Sequence, residues 1–460
     1  MAVVTWDGSS STDFATAANW DTGSVPTSSD DVIIPDTSSI NDCVLDGDRT
    51  INSLQIQGNG SFSMNDHDLT IAGENSSGRA LDIGNSTVTF VGGTGTLIFT
   101  LGSGATLLVG TQHITASTEL RNVQFNGAAT FVLGGAMTVN GNLTISAGTL
   151  STSSDNNYAL TVTGLCTVNG TLTGNASAIS AGGFLVGSSG KYNATSGTTT
   201  ITAEDTTGYA WDVNGTDSFD NNDGTVLFDL GSGVDTHVRT GQSDGANSFH
   251  HLIISLNSST NTLNMRPNTG TVMTVEGDLT VQEGVLQKNT HHHTLTVTGD
   301  VIIESGGKID ATSASGAMNM GSLTISGGTY TATSGTTTIT SKTSSDNYSL
   351  YNQGGTFTNN TGTLKVTGDG GHIREQGTGN IHHLIVELSG SSEYHRLSDA
   401  TTVEGNLTII EGDFQPNGRN LTVDGDVSIE SGGTITGSSG AMSFGSLTIA
   451  SGGTYSATSG

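Results

Sequence analysis

One long string recurs through this chain. MTVNGNLTISAG (Met137 to Gly148) returns as MTVEGDLTVQEG (Met273 to Gly284) and as TTVEGNLTIIEG (Thr401 to Gly412). LTVTG at Leu160 to Gly164 recurs at Leu295 to Gly299 and, as LTVDG, at Leu421 to Gly425. ATSGTTTIT at Ala194 to Thr202 recurs at Ala332 to Thr340. The period is about 130 residues, far longer than one solenoid rung, so each unit must hold several rungs. A repeat array buries its core between neighbouring rungs and grows in one dimension, which suits a spacer or a display surface.

The array begins before Met137. IAGENSSGRALDIGNSTVTFVGGTGTLIFTLGSG (Ile71 to Gly104) aligns in order with ITAEDTTGYAWDVNGTDSFDNNDGTVLFDLGSG (Ile201 to Gly233), and Ile339 to Gly368 is a third version. FHHLIISL at Phe249 matches IHHLIVEL at Ile381, with LRNVQF at Leu120 in the same place. These matches divide the chain into an N-terminal capping or attachment segment (1–50), a variant first super-repeat (51–135), a second (136–271), a third (272–400) and a truncated fourth (401–460). The last copy stops at ATSG, where both earlier copies run on into TTTIT, so the array is expected to continue past Gly460.

The 66 glycines, 33% hydrophobic and 5% aromatic residues would by themselves suggest disorder. The arrangement argues otherwise. Short alternating runs such as Leu143-Thr144-Ile145, Leu295-Thr296-Val297 and Leu384-Ile385-Val386 are bounded by Gly, Asn, Asp and Ser, which is the strand-and-turn pattern of an all-β chain. Stacked parallel strands need crossovers, which are right-handed in the great majority of cases. The expected fold is therefore a right-handed parallel β-helix, a β-solenoid with an N-terminal cap. Leu, Val and Ile should form inward stacks, and Thr, Ser and Asn outward ladders. At about 22 residues per rung and about 4.8 Å between strands, the chain would make about 20 rungs in a rod near 100 Å long. Separate antiparallel β-sandwiches, one per super-repeat, are the competing architecture, but no linkers divide the units.

The net charge is −29, from 42 acidic residues against 13 Lys plus Arg. Polyanions are bound through basic side chains, so nucleic acid is excluded as an expected partner, as is an anionic membrane surface. An acidic surface keeps a strand-rich protein soluble and apart from its copies. Of the two cysteines, Cys43 and Cys166, the second takes the place of Val301 and Val427 in later copies. Cys166 is thus expected to be an inward hydrophobe, and no disulfide framework is indicated. No run reaches the ~18 apolar residues of a spanning helix, so membrane insertion is not expected. MAVVTWDG lacks the charged start and apolar stretch of a secretory signal.

Residues 1–50 hold Trp6, Trp20, Pro26 and Pro35. A solenoid's first rung exposes an apolar end and unpaired backbone groups, and these residues suit a structural cap over them. The segment TWDGSSSTDFATAANWDTGSVPTSSDDVIIP resembles the opening of large repetitive β-helical proteins of bacterial surface adhesins and of phage fibres or appendages. The residues that carry the resemblance are Trp6, Gly8, Asn19, Trp20, Val25, Pro26, Asp31, Val32 and Pro35, and the GNLTI, GDLTV and GDVSIESGG strings resemble the rungs of the same class. The resemblance implies the fold and a virion-surface or extracellular setting, and carries over no catalytic residue. A chain without a secretory start favours the phage setting, because virion proteins assemble in the host cytoplasm.

Candidate chemistry is sparse. His291 and His293 are two apart beside an expected strand, so they share a face and are the candidate metal-ligating pair. The last copy has PNGRN there, with no histidine, which favours an exposed turn. His250-His251 and His382-His383 recur, and are read as structural, one ring packed or hydrogen-bonded and the other turned to solvent. DSFDNNDG (Asp217 to Gly224) invites a calcium reading, but its copy GTFTNNTG (Gly355 to Gly362) keeps only Phe, Asn-Asn and Gly, so a turn is expected. Hydrolysis of a glycoside needs two placed carboxylates. Glu276 and Asp278 reappear as Glu404 and Asn406, and as Asn140 and Asn142, so no carboxylate is maintained. The expectation is no enzyme and no cofactor. It is a structural fibre or appendage protein of a bacteriophage virion, joined to other virion proteins through its N-terminal region. It could form a homo-oligomer, a trimer among the options, and contact a host surface glycan or receptor. A bacterial surface adhesin or extracellular filament protein is the alternative, and a tailspike-like depolymerase the third reading.

Overall fold

The computed structural model describes residues 2–83, 87–102, 106–109 (main chain only), 120–231, 233, 235–241, 247–266, 272–288 and 294–457. The fold is an all-β, mostly parallel, right-handed β-solenoid of about 17 turns with little helix. That is fewer turns than the expected 20 or so, because rungs vary in length. Val123 pairs with Leu143, about 20 residues on, but Leu323 pairs with Leu350, about 27 residues on. The chain divides into two compact units, Met1–Thr225 and Val226–Gly460.

In the first unit each early turn visits three faces. Val3–Thr5, Asp31–Ile34, Ser53–Ile56 and Leu81–Ile83 pair in succession on one. Cys43–Val44, Ser61–Ser63 and Thr89–Val91 form the second. Arg49–Ile51, Leu69–Ile71, Thr96–Phe99 and Asn122–Leu133 form the third. Period-2 alternation sends every second side chain into the interior. Val4, Val32, Leu54 and Leu81 meet there in register, each at most 4% exposed. Aromatic residues stack in other columns, with Phe99 on Phe125 on the third face and Phe184 on Trp211 farther along, each pair 5.0 Å apart. Cys166 sits in the column of Phe184 and Trp211, between Leu143 and Phe184. Burial alone pushes its thiol up to about 12. Cys43 is buried too, and both are free thiols.

The second unit repeats the principle with one long column. Leu252, Leu279, Val301, Leu323, Leu350, Ile373 and Leu397 pair one after another, and none is measurably exposed. Leu279 thus faces inward as the alternation requires. At ~2 kcal/mol per fully buried Leu or Ile, such columns dominate the stability of each unit.

The interior also takes polar residues, which the expectation of purely aliphatic stacks did not include. Tyr192 and Tyr330 point inward, and each shares a hydrogen bond with a Thr seven positions on, Thr199 at 2.7 Å and Thr337 at 2.8 Å. The KYNATSGTTT and TYTATSGTTT strings therefore carry their own partner for the buried hydroxyl. His395 occupies an inward position between Gly371 and Phe414, with Nε2 3.2 Å from the Ser349 hydroxyl. Its Nδ1 has no partner. Burial, then the charges of His372 and Lys342, push this ring down to about 3. Nearby, burial pushes the Glu375 carboxyl up to about 7 despite a hydrogen bond from Asn352 at 3.1 Å.

At the N-terminus the free edge of Val3–Thr5 is engaged by its own loop. Asp21 N–H donates to Thr5 O at 3.0 Å, Asp7 N–H to Asn19 O at 2.8 Å, and Trp6 and Trp20 form an antiparallel bridge. The two indoles, 1% and 2% exposed, pack edge to face at 5.0 Å, and Phe14 packs on Trp20 at 4.8 Å. Both indole N–H groups are satisfied, Trp6 by Asn41 O at 2.7 Å and Trp20 by Phe14 O at 2.8 Å. Pro26 is buried and Pro35 half-buried.

Candidate functional surfaces

A side-chain ladder runs up the corner through the middle residue of each GNL or GDL string. In the first unit Asn142 N–H donates to Asn122 Oδ1 at 3.2 Å, and Leu165 N–H donates to Asn142 Oδ1 at 2.9 Å. In the second unit Asp278 N–H donates to His251 Nδ1 at 3.0 Å, Asp300 N–H to Asp278 Oδ1 at 2.9 Å, and Ser322 Oγ to Asp300 Oδ1 at 2.7 Å. The same chain recurs through His383, Asn406, Asp426 and Ser446 at 2.9, 3.0 and 2.6 Å. Each rung so fastens the backbone of the next. An amide oxygen, a carboxylate oxygen and a bare imidazole nitrogen all accept an N–H, which is why Asn, Asp and His exchange along the ladder.

The repeated histidines are structural, as their recurrence suggested. Each accepting ring uses the nitrogen lone pair that a metal would need. The two rings of each pair stay together, however, edge to face at 4.4 Å (His250, His251) and 4.3 Å (His382, His383), rather than parting to opposite faces. His250 lies in a bend and only His251 begins the strand, so strand alternation does not apply. Gly277 and Gly405 are required by these rings, since a Cβ there would lie 2.7 and 2.6 Å from ring atoms. His291 and His293 lie outside the described residues. Among the described residues no group of three His, Cys, Asp or Glu side chains could hold a metal ion.

The acidic turn is a turn. Asn222 reaches the carbonyls of Asn175 at 3.3 Å and Ala194 at 3.2 Å, and its copy Asn360 reaches those of Thr312 at 3.0 Å and Ala332 at 3.2 Å. One amide thereby ties together the edges of earlier rungs. Asn222, Asp223, Asn360 and Thr361 have φ of 48°, 56°, 47° and 55°. The candidate carboxylates are likewise held by neighbours. Glu276 accepts from the Ser248 hydroxyl, and Glu404 accepts from the Asn380 and Asn359 amides at 3.0 and 2.9 Å. Those amides hold Glu404 below the usual carboxylate range.

A tight loop recurs with different side chains. Asn75 N–H donates to Arg79 O at 2.9 Å, Asp205 N–H to Tyr209 O at 2.8 Å, and Thr343 N–H to Tyr348 O at 2.9 Å. The residue that closes each loop lies three positions before an outward strand residue, giving Arg79 with Asp82, Tyr209 with Asp212 and Tyr348 with Tyr351. Arg79 and Asp82 form an ion pair at 2.8 Å. Tyr348 and Tyr351 pack at 4.7 Å under the Arg374 guanidinium, 5.6 and 5.3 Å from their centroids. Sequence reasoning passed over these residues. The signal was present, because ENSSGRALD and EDTTGYAWD align and differ at the loop-closing place, Arg79 against Tyr209, while keeping the Asp three positions on.

Beside the first of these loops the outer face of the first sheet is hollowed into a cleft of about 370 Å³. No family model matches this chain, and neither does any curated protein or solved structure.

Proposed function

We propose that this protein is a non-enzymatic structural scaffold serving as a fibre or appendage protein of a bacteriophage particle, a spacer that displays a receptor-contacting surface. The observation that carries the reading is the corner ladder. Each unit invests its Asn, Asp, His and Ser side chains in fastening one rung to the next, over a fully buried apolar column, which suits a part that must hold its form under load. Carboxylates that could have served hydrolysis are engaged by Ser, Asn and backbone N–H partners, which weighs against a depolymerase. The acidic surface fits a part that must stay apart from its copies until assembly. In this reading attachment to other virion proteins runs through the capped edge around Trp6 and Trp20, which leaves the outer face of the first sheet open for display.

Immunogold electron microscopy with an antibody against residues 1–460, on the source culture and its purified particles, tests the proposal. Label on virions is the expected result. Label confined to cell envelopes or free filaments overturns the phage setting and makes the protein an adhesin or extracellular filament component.

A further inference from the structure

The cleft of about 370 Å³ lies on the outer face of the first sheet, between Val3–Thr5, Asp31–Ile34, Ser53–Ile56 and the loop from Asn75 to Arg79. That volume is at the small end of ligand pockets, about 300–1,000 Å³. Its polar groups come in opposed pairs. Asp82, 5% exposed, accepts from Arg79 at 2.8 Å and from Gln55 Nε2 at 3.0 Å. Asp31, 8% exposed, accepts through one oxygen from Asn52 at 2.6 Å and Ser53 at 2.7 Å. Ile33 and the half-exposed Val3 add apolar surface, and the exposed Ser76 and Ser77 stand at the rim.

The lining discriminates between ligand classes. An anion would meet two buried carboxylates against one guanidinium. A metal ion would have to displace Arg79 and the amides that already serve the carboxylates. A purely apolar ligand would take water from Asp31, Asp82 and Arg79 and return no polar contact to any of the three. A polyol both donates and accepts, so it can bridge carboxylate oxygens, amide groups and the free guanidinium N–H groups at once. The C–H face of a sugar ring would rest on Ile33 and Val3. The recurring loop supports the assignment. Its first two copies close over the same span, Asn75 to Arg79 and Asp205 to Tyr209, while the closing residue changes from Arg79 to Tyr209, so this position is free to be chosen for contact rather than for folding.

We propose that this cleft is a binding site for a neutral pyranoside, the terminal one or two sugars of a surface polysaccharide. The proposal rests on the display reading above for its biological setting, but not for its chemistry. Saturation-transfer NMR on the 460-residue chain tests it, with the methyl pyranosides of glucose, galactose, mannose, rhamnose and N-acetylglucosamine as probes. Transfer to the ring protons of at least one probe is expected. It should fall at least tenfold in Ser77→Trp, which fills the mouth from an exposed position, and in Gln55→Ala. Ser345→Trp, at the matching loop position in the second unit, should leave transfer unchanged, and unaltered melting of all three variants shows that the fold is kept. No transfer to any probe, or transfer indifferent to Ser77→Trp, overturns the site. Either failure leaves the immunogold result standing, and the reverse also holds.

Discussion

Two strands with nearly the same sequence are buried to opposite degrees. In Met318–Ser326 the string Gly321-Ser322-Leu323-Thr324-Ile325 places Leu323 and Ile325 in the core, with no measurable exposure. In Met442–Ile449 the same five residue types recur at 445–449, yet Leu447 is 38% and Ile449 45% exposed. Both strands pair with the rung before them in the same register, Leu323 on Val301 and Leu447 on Val427. What differs is the following rung. Thr336–Ile339 and Tyr348–Gln353 lie on Met318–Ser326, whereas among the described residues no later rung covers Met442–Ile449. Burial in this fold is a property of the neighbour, not of the strand.

The largest expected effect breaks that contrast directly. Leu323→Asp buries an unpaired charge and should cost ~3–5 kcal/mol, while Leu447→Asp should cost under ~0.5 kcal/mol. Thermal unfolding of the two variants reads the difference, and equal losses would mean that the last rung is covered in solution. Leu279→Asp should behave as Leu323→Asp does.

The second effect is a pair of opposed pH dependences in the second unit. His395, held at about 3, refuses the proton that the unfolded chain accepts below its ordinary 6.5. Stability therefore falls as pH drops from about 6.5 toward 3, by at most ~1.4 kcal/mol per pH unit. Glu375, raised to about 7 from 4.5, acts in the other sense. Its contribution is complete below pH 4.5 and is lost as pH rises through 7. Between 4.5 and 6.5 the two slopes oppose each other in the native protein. In His395→Leu, urea midpoints should fall with rising pH across that window, and in Glu375→Gln they should rise. Parallel profiles in both variants would show that neither group titrates as described.

A smaller effect concerns the inward tyrosines. Thr337→Val leaves the Tyr330 hydroxyl with only the Met318 sulfur, 3.5 Å away, and should cost about 1 kcal/mol, most of which Tyr330→Phe in the same chain should restore. Tyr455, the third copy, is only half-buried, so Tyr455→Phe should change the melting midpoint little. The smallest effect is at Thr361, a β-branched residue at φ 55°. Thr361→Gly should raise stability by ~0.5–1 kcal/mol, and Asp223→Gly by less.

The fold was legible because its grammar is periodic. Leu143-Thr144-Ile145 and its copies alternate, and Asn222 and Asn360 sit where a turn must close. The inward Cys166 was legible from the valines that replace it. What escaped was whatever depends on contact between rungs. Nothing in a single window tells that Asp278 accepts from Asp300 N–H, that His250 bends away from strand geometry, or that Asp31, Gln55 and Asp82 converge from three rungs on one cleft. His395 escaped for a related reason, since an inward position that is Leu263 in the preceding copy gives no warning that it also accepts an imidazole.

The corner ladder also separates electrical charge from architecture. Exchanging Asn142 for Asp, or Asp278 for Asn, would alter the charge by one unit while keeping the oxygen that the next rung's N–H requires. A lineage built on such corners can drift toward a more or less acidic coat, and so toward saltier or fresher surroundings, without renegotiating a single rung.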